Sequence, residues 1–287
     1  MTIIDGRAIA QKIHQELKQK IQTSGLKPGL AVILVGNDPA SHLYVSLKEK
    51  ACAEVGIHFE KYLFFATEPE EKILSKITAL NQRPDIHGII VQLPLPSHFD
   101  TSKIIKIINP RKDADGFHPE NLKLFFENKP LIIPVTTKAI ITLIQSANIP
   151  LKQKQAIILA NSHIFADPIK KALENQGATT EIIIFDANTP LHQYTNIPQA
   201  DILVTALGQP KLITADIIKD GAIIIDVGTS RMNLGTDEQP LWKTVGDIDQ
   251  ENLKEKPGFI TPVPGGVGPV TVATLLKNVF DLTIATK

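Results

Sequence analysis

The 287-residue chain has a single cysteine, Cys52, so it can form neither an intrachain disulfide nor a cysteine-rich zinc cluster. It has no surplus of charge of either sign. Thirty Lys and Arg offset thirty Asp and Glu, leaving a formal net charge of zero. No overall field gathers nucleic acid or an anionic membrane, and neither is expected as a partner. The eight histidines are scattered without an HExxH or HxxxH pair, and no metal site is expected. Long hydrophobic runs are also missing. The first residues, MTIIDGRAIAQKI, lack a basic segment leading into an apolar one, and no uncharged apolar run reaches about 18 residues. A soluble cytoplasmic protein is the expectation. At 43% apolar and 21% charged residues, the chain is too hydrophobic for disorder.

What is present is alternation. Short apolar runs at 30–35, 62–65, 88–93, 156–159, 181–185, 201–206 and 222–227 read as buried strands, and amphipathic segments separate them. This is the pattern of an α/β protein with parallel sheets covered by helices. Ile9, Ile13, Leu17 and Ile21 form one helical stripe, and Val272, Leu275, Leu276, Val279 and Phe280 form another. Helix starts are expected at Ser41, at the capping box Thr67–Glu70, at Asp167-Pro168 and at Thr271. At roughly 100–200 residues per domain, the length suggests two domains. The Pro- and Asn-rich stretch 109–134 puts their boundary between about 120 and 140.

Four segments are candidates for chemistry. In Pro39-Ala-Ser-His-Leu-Tyr44-Val-Ser-Leu-Lys48, Tyr44 and Lys48 are four apart on one helix face. The ring can hold a flat heterocycle, and a lysine whose pKa is lowered can move protons. A solvated lysine over a tyrosine has the same spacing. In Gly88-Ile-Ile-Val-Gln92-Leu-Pro-Leu-Pro96, Gln92 lies at the C-terminal end of a strand, where open α/β sheets place ligands. In Lys112-Asp-Ala-Asp115-Gly-Phe-His-Pro119, a carboxylate can accept paired N–H bonds from a pterin-like ring, or it can make a local turn. The fourth, Thr261-Pro-Val-Pro264-Gly265-Gly266-Val-Gly-Pro-Val-Thr271, is a loop shaped by glycine and proline that lets backbone approach a ligand.

Together these segments resemble the bifunctional methylenetetrahydrofolate dehydrogenase/cyclohydrolase (FolD) family. Its blocks PASxxYVxxK, GIxVQLPLP, KDxDGFHPxN and PVPGGVGPMT stand here as PASHLYVSLK, GIIVQLPLP, KDADGFHPEN and PVPGGVGPVT, in the same order. ADILVTALGQP and GAIIIDVG also match, so the resemblance spans essentially the whole chain. It implies a folate-binding catalytic domain, residues 1–136 completed by the C-terminal helix in 265–287, with a Rossmann-type dinucleotide domain at 137–264. The implied chemistry oxidises 5,10-methylenetetrahydrofolate with NADP and then hydrolyses the methenyl product to 10-formyltetrahydrofolate. By the same resemblance Lys48 is the central catalytic residue, Tyr44 packs against folate, Gln92 positions Lys48 and Asp115 binds the pterin. Pro264, Gly265 and Gly266 line the folate pocket, and a homodimer is implied. The place of such an enzyme is one-carbon supply, including purine biosynthesis.

The cofactor half departs from the family. Its first βα turn, usually GRSxIVGxP, reads Ala160-Asn161-Ser162-His163-Ile164-Phe165-Ala166-Asp167-Pro168. Alanines replace two glycines, where a methyl group would obstruct phosphate approach. Asn161 replaces the arginine that would pair with a 2′-phosphate. Thr229 stands where isoleucine usually follows DVG, and 185–190 lacks the family's HSxT. Ala160, Asn161, Ser162 and Thr229 are the candidate cofactor-binding residues. The alternatives left open are NAD in place of NADP, weakened binding with the cyclohydrolase alone surviving, and a folate-binding module without catalysis.

Overall fold

The computed structural model describes every residue except Leu234, Asp237, Glu238, Pro240 and Lys287, and the side chain of Leu191. The chain begins with β1 (Thr2–Ile3), α1 (Gly6–Ser24), β2 (Gly29–Val35), α2 (Pro39–Val55), β3 (His58–Phe64), α3 (Glu70–Asn81) and β4 (Gly88–Val91). Two short helices follow, α4 (Thr101–Ile107) and α5 (Pro119–Phe126), and then α6 (Val135–Ser146). A second strand–helix series runs β5 (Gln155–Ala160), α7 (His163–Glu174), β6 (Thr179–Ile184), β7 (Ile202–Ala206) and β8 (Ile223–Asp226). β9 (Ser230–Asn233), β10 (Trp242–Val245), β11 (Phe259–Ile260) and α8 (Val267–Ala285) complete it.

These elements form two compact units. One contains Ala10–Val135 with Val272–Lys287, and the other Met1–Ile9 with Thr136–Thr271. In the first, β2 is the central strand of a parallel three-stranded sheet, β3-β2-β4. β2 is buried along its whole length, which is why it reads as an unbroken apolar run. Ile73, Ile77 and Leu80 of α3 and Ile104 of α4 pack with Ile33, Ile89 and Val91 in one core. Val45 and Cys52 of α2, with Leu275, Leu276 and Val279 of α8, pack with Leu30, Val32 and Ile90 in the other. Alternate residues of a strand serve opposite faces, so one sheet supports both layers. The α8 stretch is long and apolar enough to span a bilayer by length and composition, yet 67% of that window is buried inside the protein.

The other unit carries a six-stranded, wholly parallel sheet in the order β1-β11-β8-β7-β5-β6. From β5 the chain passes through α7 to β6 on one side, then returns to β7 on the other. That reversal makes the C-terminal ends of β5 and β7 a topological switch point, where this class of sheet binds ligands. β9 and β10 form a separate antiparallel pair.

The division differs from the expected one at the chain ends. Residues 1–9 belong with the six-stranded sheet because β1 pairs with β11: Thr2 N–H donates to Gly258 O at 2.7 Å and Ile4 N–H to Ile260 O at 2.8 Å. Residues 265–271 belong there too. Strands β1, β9, β10 and β11 are too short or too polar to stand out in the sequence.

All four expected helix starts move. Asp38 caps α2 and accepts the Ser41 amide at 2.9 Å and hydroxyl at 2.7 Å, with Pro39 in the first turn. Ionised aspartate is the stronger acceptor, and it takes the cap from serine. α3 starts after Pro69 with no side-chain cap, because Glu70 accepts the Asp100 amide at 3.0 Å and is not turned back on its own helix. α7 starts at His163, so Asp167 does not cap it and Pro168 lies within it. The proline leaves the Ile164 carbonyl without its usual intrahelical donor, at an exposed position of the helix. Thr271 is inside α8 and its hydroxyl donates to Val267 O at 2.9 Å.

Candidate active site

The local fold around Lys48 follows from β2, the Asp38 cap and α2. Gly36 ends the strand with a positive φ of 84°, and the capped helix then carries Tyr44 and Lys48 in its second and third turns. Both side chains are half-buried. Lys48 Nζ donates to Gln92 Oε1 at 2.7 Å. Gln92 is fixed in turn: its amide nitrogen donates to Leu93 O at 2.7 Å, and its backbone N–H continues the ladder to Ile33 O at 2.8 Å. The carbonyl oxygen of Gln92 is therefore aimed at the lysine by a side chain with little freedom left. Burial lowers the Lys48 pKa, opposed by the negative charge of Asp115. Behind it, Cys52 is fully buried and its thiol is pushed up to about 12 by that burial.

The two aspartates of the KDADG segment separate by role. Asp113 is buried and accepts the amides of Gly116 at 3.1 Å and His118 at 2.8 Å, and the Asn121 side chain at 3.0 Å. It builds the turn. Asp115 is half-buried, and its carboxyl is raised to about 6, first by burial and also by Asp113, with Lys48 opposing. Its backbone is held by Val135 N–H, which donates to Asp115 O at 3.0 Å, and by Asn278, which donates to Ala114 O at 3.0 Å. The structure thus brings Lys48, Gln92 and Asp115 together, with Tyr44 one helical turn before the lysine. A lysine whose pKa is lowered by burial, beside a carboxyl raised to about 6, is placed to accept and return protons.

Pro264, Gly265 and Gly266 lie in the other unit, between β11 and α8. Their glycines have local packing reasons. A side chain on Gly6 would overlap the Gly266 carbonyl oxygen, and Gly265 has a φ of 115°.

At the switch point of the six-stranded sheet, Ala160 ends β5 in register with Ala206 of β7. Ala160 and Ala166 are fully buried, so their methyl groups fill the interior and do not stand over the turn. That removes the steric objection to phosphate expected from the sequence. Asn161 Nδ2 donates to Leu207 O at 2.8 Å, tying the loop after β5 to the loop after β7. Ser162 makes no side-chain cap, which leaves the exposed first-turn amides of α7 directed outward. Uncapped amides at a helix N-terminus on this edge fit a pyrophosphate. Asp167 faces His163 at 3.1 Å, one turn in. Thr229 is exposed just after β8. Sequence reasoning passed over two buried acids on the same edge, Asp226 and Asp247. Their signal was a glycine within two residues of each, in Asp226-Val-Gly228 and Gly246-Asp247.

Two family models match the chain in series. The catalytic domain of tetrahydrofolate dehydrogenase/cyclohydrolase covers residues 4–115, and the NAD(P)-binding domain of the same enzymes covers 134–287. The bifunctional protein FolD of Nautilia profundicola is 43% identical over 281 residues, which is 97% of this chain and 95% of that protein. The Trypanosoma brucei methylenetetrahydrofolate dehydrogenase-cyclohydrolase, solved with NADP cofactor and an inhibitor, superposes with a TM-score of 0.93 at 35% identity, covering 100% of this chain and 98% of that one. The Campylobacter jejuni enzyme superposes with a TM-score of 0.89 at 38% identity, covering 100% of both. With both domain models in order along the chain and such identity sustained over nearly its full length, this protein belongs to the tetrahydrofolate dehydrogenase/cyclohydrolase family.

Proposed function

We propose that the chain oxidises 5,10-methylenetetrahydrofolate to 5,10-methenyltetrahydrofolate with NADP and hydrolyses that product to 10-formyltetrahydrofolate. The observation that carries this reading is the Lys48–Gln92 hydrogen bond beside Asp115. When bound, the nicotinamide supplies the hydride acceptor for the oxidation. In the hydrolysis, neutral Lys48 takes a proton from the water that adds to the methenyl carbon. The ammonium so formed returns a proton to the ring nitrogen as the carbon–nitrogen bond opens, and the hydroxyl on that carbon releases its proton to solvent to become the formyl carbonyl. Gln92 holds the amine in place for both transfers, Tyr44 packs against the folate, and Asp115 accepts N–H bonds from the pterin. A role for Pro264, Gly265 and Gly266 toward folate rests on the family resemblance. The first-turn amides of α7, with Ser162, Asn161 and the segment at Thr229, would hold the dinucleotide.

A second reading, NAD in place of NADP, is favoured by the end of β6. Asp186 lies two residues past that strand, where an acidic side chain bonds a ribose 2′-hydroxyl once released from Asn188 and Thr189 of its own loop, and the Asn161 amide is spent on Leu207 O. Cyclohydrolase and dehydrogenase activity measured on one preparation tests both activities, and calorimetric titration with NADP and NAD decides the cofactor. Both activities with tighter NADP binding support the first reading. Tighter NAD binding supports the second, and hydrolysis at the uncatalysed rate leaves a folate-binding module. We expect a cytoplasmic homodimer whose product serves as a formyl donor, including in purine synthesis.

The Asp115 carboxyl gives a pH prediction. Its pKa is raised to about 6, so it is ionised above that value and protonated below it. The KM for the folate substrate should therefore rise as pH falls from 7 to 5, while Asp115→Asn should show a raised KM that is flat over the same range. An identical KM profile in the two proteins removes Asp115 from folate binding.

A further inference from the structure

Two fully buried carboxylates sit at the C-terminal edge of the six-stranded sheet, and each holds a loop beside the switch point. Asp226 ends β8. Its Oδ1 accepts the amides of Gly228 at 3.1 Å and Asp247 at 3.0 Å, and its Oδ2 accepts the Ile248 amide at 3.0 Å. Asp247 follows β10. It accepts Leu207 N–H at 2.7 Å and Gln209 N–H at 2.9 Å, fixing the loop after β7. Asn161 holds the same loop from its other side through Leu207 O. The two acids interlock: a side chain on Gly246 would overlap the Asp226 carboxylate, and one on Gly228 would overlap that of Asp247. Both acids are 1% exposed or less.

Two carboxyl groups buried side by side without water cost stability, and backbone amides return only part of that cost. Turns can be built more cheaply, so this expense at a ligand edge is the mark of a site shaped for binding. We propose that Asp226 and Asp247 are positioning residues for the dinucleotide: as an interlocked pair they hold the loops after β7 and β8 in the shape that receives it. The inference rests on the dinucleotide-binding reading above and deepens it. The groups facing Asp226 are Asp247 from the segment after β10, the Thr205 hydroxyl from β7 at 3.4 Å and Thr261, whose hydroxyl accepts the Asp226 amide at 2.9 Å. Burial, with Asp247 adding to it, raises the Asp226 pKa to about 7. Asp226 is protonated below that pH and ionised above it, and its ionised form adds negative charge beside Asp247 and beside a polyanionic ligand.

The test is dinucleotide affinity of the full chain by calorimetry from pH 6 to pH 8, with amide hydrogen exchange at Leu207 and Gln209 in the unliganded protein. For the unsubstituted protein, affinity should fall severalfold as pH rises through 7. Asp247→Asn should bind at least tenfold more weakly and exchange Leu207 and Gln209 faster, with its far-ultraviolet circular dichroism retained. Thr205→Val removes, at nearly constant volume, a hydroxyl that lies 3.4 Å from Asp226 and holds the Asp247 pKa down, so the carboxyl pair should titrate higher and the affinity midpoint should move to higher pH. Unchanged affinity in Asp247→Asn, or an unmoved midpoint in Thr205→Val, overturns the inference while the dinucleotide reading stands. Failure of the unsubstituted protein to bind either NADP or NAD overturns both.

Discussion

Lys48→Met should lower methenyltetrahydrofolate hydrolysis by about 10²- to 10⁴-fold, the range for loss of a positioned proton-transfer group. Methionine keeps much of the length and apolar stem but has no proton to move. The Gln92 carbonyl then loses the donor at 2.7 Å, and Asp115 loses the cation that opposes its upward shift. Hydrolysis is read directly from the loss of methenyl absorbance. Lys48→Arg separates charge from proton transfer, because a guanidinium keeps the positive charge but stays protonated throughout the working pH range. It should keep folate binding but not restore the rate. If Lys48→Met stays within a few-fold of the parent rate, Lys48 is not the proton carrier. If Lys48→Arg recovers full activity, charge alone is sufficient. The parent rate should also climb with pH toward the lowered Lys48 pKa, because the neutral amine is the base.

Gly6→Ala should strongly destabilise the unit built on the six-stranded sheet. A methyl group there would overlap the Gly266 carbonyl oxygen and crowd that of Gly265. Both obstacles are backbone, so no side-chain rotation relieves them. Gly266 is itself confined, because a side chain on it would meet Thr261 Cβ at 2.6 Å and Pro262 O at 2.7 Å. Overpacking of this kind costs about 3 kcal/mol, and for a domain of this size that lowers the melting transition by about 6–12 °C. Gly25→Ala provides a contrast. Gly25 has nothing within 4 Å of its missing side chain, so it carries only the strain of a φ of 64°. Thermal denaturation followed by circular dichroism compares the two. Equal melting temperatures for Gly6→Ala and the parent would show that the PVPGGVGP loop shifts freely, contrary to the packing described.

The second of these predictions could not have come from the sequence, and the first mostly did. Lys48 and Gln92 are 44 residues apart, and each lies in a segment whose type is local: a capped helix with i, i+4 spacing, and a buried strand ended by two prolines. The pattern of two acids around an alanine does not by itself divide their work; the family resemblance assigns the pterin to Asp115, and the structure supplies the reason, with Asp113 buried under three N–H donors. The altered phosphate turn was read too severely, because burial of a methyl group is a tertiary property. Ala160 and Ala166 pack inward, and Asn161 has taken up a structural bond to Leu207.

By itself the sequence determined the α/β class, the alternation of strands and helices, the two-domain organisation and the residue types of the Lys48 site. Apolar periodicity and turn chemistry act over a few residues and are written directly in the chain. Tertiary structure decided the rest. It assigned the first nine residues to the six-stranded sheet through a two-residue strand, placed the helix caps where competing acceptors resolved, and interlocked Asp226 with Asp247. Each of these depends on which groups lie beside one another after long-range pairing. Burial and hydrogen bonding then set their energies, and no local pattern encodes that proximity.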